Sequence, residues 1–147
     1  MSTLLGPNTR GVLHLMSHLP RLRSPQVDDV AAEWKRQPAP ARARAWAAAI
    51  HSAGSQHRPG VLSAAALARA AAMAVASERD RADWTFWAAA QDAAAAVAVC
   101  GQIDDADYQV LVAPMARALP WLAVGTPDLL AVSGLQAALG RWGGAPG

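Results

Sequence analysis

Runs built on alanine, AWAAAI at 45–50, AAALARAAAMA at 64–74 and AAAQDAAAAVA at 88–98, constrain this chain more than any other feature. Alanine loses no side-chain entropy on entering a helix and is the best intrinsic helix former. Strands draw instead on β-branched and aromatic residues at period two, and aromatics make up only 5% of a chain that is 53% hydrophobic. The expected fold class is therefore all-α: a compact bundle of six or seven short-to-medium helices. A length of 147 residues fits one domain over 1–147. Such a chain buries about two-thirds of its unfolded surface, enough for a core without disulfides or a structural metal. The glycine-rich end over 140–147 reads as a flexible tail.

The single cysteine, Cys100, excludes an intramolecular disulfide framework and suits a reducing compartment. The first residues lack the pattern of a secretory leader. The longest apolar stretches, 61–76 and 84–103, are interrupted by Arg69 and by Gln91 and Asp92, so a cytoplasmic protein with no membrane partner is expected. All but one of the 13 basic residues are arginine, a bias that matches the coding of a GC-rich, bacterial-type genome. Their placement is uneven. Residues 1–58 carry eight basic and three acidic side chains, whereas 59–147 carry five and eight.

Helix boundaries follow from caps and breakers. Val12, Leu15, Met16 and Leu19 recur at i, i+3, i+4, i+7 after Asn8, and Pro20 closes that segment. Ser24-Pro25 starts a second helix with Val27, Val30, Ala31 and Trp34 inward and Lys35 and Arg36 in its last turn. A third runs from about Pro40 to Ser52 with Ala43, Trp46, Ala47 and Ile50 as its apolar face. GSQHRPG at 54–60 then reads as a loop and a hinge. Ser63 opens a fourth helix, and Ser77 to Asp80 either restarts the chain or is passed over by one long helix. An Ala-rich helix over about 83–100 is apolar most of the way round and is placed centrally. Asp104 caps the next, with Ile103 and Tyr108 spaced as a hydrophobic staple and Pro114 interrupting it. Thr126-Pro127-Asp128 begins the last.

Candidate chemistry is sparse. His14 and His18 lie four apart, the spacing of two imidazoles sharing a metal, but HLMSH has no intervening glutamate and no third ligand follows. On a helical wheel they fall opposite the apolar stripe, so the expected reading is a solvated face, with His14 and His18 as weak metal candidates only. Arg21, Arg23, Lys35, Arg36, Arg42 and Arg44 form a basic region with Trp34 and Trp46 among them, a composition that fits a phosphate backbone and stackable bases. Against it, both tryptophans sit on apolar faces, and QPAPA is not the short turn of a helix-turn-helix. Asp92 is expected on a narrow water-facing stripe with Thr85, Ala88, Ala89 and Ala96, and Cys100 reads as a small core residue. Asp104, Asp105 and Asp107 serve capping and dipole compensation rather than calcium. No phosphate-binding glycine loop, GxSxG, CxxC or HExxH occurs.

Three classes of function remain. The favoured one is a non-enzymatic protein–protein interaction or regulatory module, binding another protein or itself as a homodimer. Alanine-lined helices permit close packing, and six tryptophans exceed what so small a core needs. Trp121 and Trp142 are the partner-surface candidates. A nucleic-acid-associated protein using the basic region is second. Third is an enzyme or small-molecule binder with an apolar pocket walled by Trp84, Phe86 and Trp87. No cofactor is expected.

Overall fold

A computed structural model describes residues 8–78 and 84–123, with side chains over 53–59 excluded. It is an all-α bundle, as the alanine runs require. Five α-helices follow in order: α1 (Thr9–His18), α2 (Ser24–Arg36), α3 (Ala39–Glu78), α4 (Trp84–Ala98) and α5 (Asp105–Ala116), with 3₁₀ turns at Leu19–Arg21 and Pro120–Ala123. The segments predicted at Thr126 and beyond, including the tail over 140–147, lie outside the described residues.

The Ala-rich central helix is where the sequence placed it. Every residue of α4 is buried except Trp84, Trp87, Ala88 and Gln91, which form one edge at i, i+3, i+4, i+7. The chain continues buried through Cys100, and Gly101 follows at φ 86°, a left-handed conformation that glycine adopts without a Cβ clash. Two tryptophans stand at the edge of α4, while alanines and Phe86 fill its interior. Neighbouring backbones approach so closely that a methyl group is what fits. The same closeness holds at α1, where a Cβ on Gly11 would lie 2.7 Å from both Val97 Cγ1 and Asn8 Nδ2. Asn8, the residue before α1, spends its side chain on that seam, donating from Nδ2 to Val97 O at 2.9 Å.

Helical backbone is continuous from Ala39 to Glu78, so the loop expected at 54–60 is helical. The expected change of direction is nevertheless present. A straight helix would separate Trp46 from Arg69 by about 35 Å at 1.5 Å per residue, yet both line one groove of about 340 Å³. The helix therefore doubles back between its first limb, 39–52, and its second, 60–78. Gly54, Pro59 and Gly60 supply the weak point: proline removes a backbone hydrogen bond and glycine relaxes the steric limits on bending. In the first limb Ala45 and Ala49 are buried, while Ala43 and Ala47 are exposed and Trp46 and Ile50 are half-buried. The expected apolar face was thus rotated, because alanine marks neither side of a helix strongly.

Other boundaries match closely. Gln26 Oε1 accepts the Arg23 N–H at 2.7 Å at the start of α2, one residue earlier than the Ser24 cap that was expected. Tyr108 is fully buried in the first turns of α5, with Ile103 half-buried against the same core, consistent with the staple. Pro114 lies inside α5, which continues to Ala116. Side chains tie the connections down: Gln37 Nε2 donates to Val110 O (2.9 Å) and Ser52 Oγ donates to Gln102 O (2.7 Å).

Candidate functional site

The doubled-back α3 leaves an open trough on the surface. Trp46 of the first limb forms one wall, Leu62, Ala65, Ala66, Arg69, Ala70 and Met73 of the second limb form the other, and Gln91 of α4 reaches in from the α4 edge. Val61, Ala64, Ala68, Ala72 and Val75 commit the opposite face of the second limb to the core. The outward face is apolar too, with Leu62 47% and Met73 40% exposed along the trough and Leu67 exposed on the other flank of the limb. Gly60–Glu78 is by length and composition apolar enough to cross a membrane, and 44% of that window is buried against the rest of the chain. Arg69 is the one charged side chain lining the trough, and it has no ion-pair partner among the described residues.

Asp92 departs from its expected place on a water-facing stripe. It is buried, as are Thr85, Ala89 and Ala96 of the same stripe, and its Oδ2 accepts the Trp34 indole N–H at 2.8 Å. Burial pushes its pKa up to about 6, against the opposing pull of the Trp34 hydrogen bond and the charge of Arg42. The Arg42 guanidinium lies 3.8 Å from the centroid of the Trp34 ring and donates from Nε to Gln37 O at 3.3 Å. Trp84 meets Trp34 edge-on at 5.3 Å and is 59% exposed. One polar knot therefore joins α2, α3 and α4. Of the three residues named as pocket walls, Trp84 and Trp87 share the α4 edge, with Trp84 on this knot, and Phe86 is fully buried in the core. The trough is lined by none of them.

A second aromatic cluster forms where α1 meets the Pro120–Ala123 turn. His14 was expected on a solvated face and is instead buried, only 5% exposed, with His18 half-buried. Their rings are 4.4 Å apart, and Trp121 packs on both, at 5.0 Å from His14 and 5.9 Å from His18. The helical wheel failed because the 3₁₀ turn after α5 returns to cover that side of α1. His18 Nδ1 lies 3.0 Å from His14 O. Burial, with the nearby charges of His18 and Arg21, lowers the His14 pKa to about 4. Two imidazoles come together as the spacing predicted, and among the described residues no group of three metal-ligating side chains occurs. Trp121 is half-buried against the core, and Trp142 lies outside the described residues.

The basic residues are distributed by use. Arg42 is held on Trp34, and Arg36 pairs with Glu33 at 2.8 Å, where Arg117 also approaches to 3.4 Å. Arg21, Arg23, Lys35 and Arg44 are exposed. Trp34 and Trp46, the rings that stood among these cations in the sequence, pack partly against the core. The trough and the place of Arg69 in it escaped the sequence, which showed 64–76 only as an alanine-lined helix. The signal within reach was Leu62, Ala66, Ala70 and Met73, a second apolar seam opposite the buried one. No protein-family model, curated protein or solved structure matches this chain.

Proposed function

We propose that this protein is a non-enzymatic helical interaction module whose trough on α3 receives an apolar helix from a partner protein. The observation that carries this reading is the second limb of α3, buried on one face and apolar along the trough, with Leu62 and Met73 left in water. A contiguous exposed apolar surface is costly in isolation and marks places where something docks. An open trough between two helical limbs matches the helix-in-groove mode of recognition, in which side chains at i, i+3, i+4 and i+7 enter the groove. Small residues at Ala65, Ala66 and Ala70 let a third backbone approach to helix-packing distance, about 8–10 Å.

A photo-crosslinking residue in place of Ala66 tests the reading in the producing cell. A discrete adduct is expected that is absent when the crosslinker replaces the exposed Ala43, and that disappears in a Leu62→Glu, Met73→Glu variant of unchanged helical content. An adduct that survives those two substitutions, or that forms equally from position 43, overturns it. The nucleic-acid reading draws less support, because Arg36 and Arg42 are engaged within the chain and the face of Trp34 is covered by Arg42.

A further inference from the structure

Resting on the docking reading of the trough, we infer that Arg69 selects the occupant: a partner helix of about three turns carrying a carboxylate beside its apolar stripe. The length follows from the wall. Leu62 to Met73 spans eleven residue steps, about 16 Å of helix at 1.5 Å per residue. Arg69 is exposed at the trough, with Trp46 across from it and Ala66, Ala70 and Met73 on its own limb. With no ion-pair partner among the described residues, this guanidinium loses water when the trough is filled, and an acceptor on the occupant compensates that loss. Gln91 adds a neutral group that hydrogen-bonds either as donor or as acceptor, so the sign of the preference is set by Arg69 alone.

A second copy of this chain is a poorer occupant. Two second limbs crossing on a two-fold axis at the trough would bring Arg69 toward its own counterpart, and like charges brought together disfavour association. The asymmetry of one cation in an apolar trough calls for a partner of opposite charge.

Three fluorescein-labelled helical peptides sharing one Leu/Ala stripe test the assignment, with Glu, Gln or Lys at the positions flanking the stripe. Anisotropy with the full chain is expected to rank them Glu, then Gln, then Lys, with about fivefold between the first two at low salt, the size of a well-placed ion pair. Arg69→Gln is expected to make the Glu and Gln peptides equivalent, and Arg69→Glu to reverse the order. Equal binding of all three by the unmodified chain, or a Glu preference that persists in Arg69→Gln, overturns the role of Arg69 and leaves the docking reading standing. Binding of none of the peptides defeats both. A dimer by light scattering that Leu62→Glu dissociates assigns the trough to a second copy and overturns the acidic partner.

Discussion

Two aromatic clusters in this molecule bury a titratable group beside tryptophan, and they respond to pH in opposite directions. In one, Asp92 is buried behind Trp34 and its pKa rises to about 6. In the other, His14 is buried against Trp121 and His18 and its pKa falls to about 4. Desolvation leads in both, and it always favours the neutral form: protonated for a carboxyl, deprotonated for an imidazole. The difference teaches that one physical cause gives the fold two opposing limits. Between about pH 4 and 6 both groups are held neutral in the fold although each would be largely charged in the unfolded chain, so both penalties act together in that window.

The Asp92 side of the comparison carries the largest expected effect. Its folded pKa of about 6 lies above the unfolded value of 3.8, so the folded state holds the extra proton between them. The stabilisation is fully present below pH 3.8 and is lost as pH rises through 6. A shift of about two units corresponds to at most about 3 kcal/mol. Urea denaturation is expected to show stability declining over that window, and Asp92→Asn, which keeps an acceptor for Trp34 and cannot ionise, is expected to flatten the decline. An unchanged slope in Asp92→Asn would assign the pH dependence elsewhere.

Trp34→Phe sharpens the same contrast by removing the donor and leaving the carboxylate. A buried acceptor without its partner costs about 1–3 kcal/mol. The loss is expected to be greater at pH 7.5, where Asp92 is ionised, than at pH 5, where it is mostly protonated. A penalty independent of pH would mean that Trp34 contributes packing and the hydrogen bond nothing.

The acid-side effect belongs to the histidine cluster. The folded pKa of His14 lies below the unfolded 6.5, so its contribution is present above pH 6.5 and is lost as pH falls through about 4. His14→Phe is expected to remove that acid-side decline without altering the one assigned to Asp92. The ¹H–¹⁵N signals of the two imidazoles are the direct check: His14 titrating near 6.5 would break the contrast between the clusters.

How much of this was legible in the sequence varies by element. The start of α2 at Ser24, the core placement of the helix ending near Cys100 and the start of α5 after Asp104 were legible, although the cap of α2 falls on Arg23 and Asp104 makes no side-chain capping hydrogen bond. The burial of Asp92 was not. Thr85, Ala89 and Ala96 flank it on the wheel, and a stripe of alanine fits water or a close helix contact equally well. His14 was misplaced for a related reason: α1 alone shows one apolar stripe, and the ring that covers its other side, Trp121, is more than a hundred residues away in the chain.

The sequence by itself determined that this protein is helical, where most of its helices begin and which of them is central, because alanine propensity, caps and breakers are local. Only the tertiary structure decided which side of each alanine-rich helix meets water. It alone doubled α3 back, set Trp46 opposite Leu62 to Met73, and placed Arg69 at an apolar trough. A methyl group is small enough to be buried between backbones and cheap enough to be left exposed, so in an alanine-rich chain the choice of face belongs to the packing.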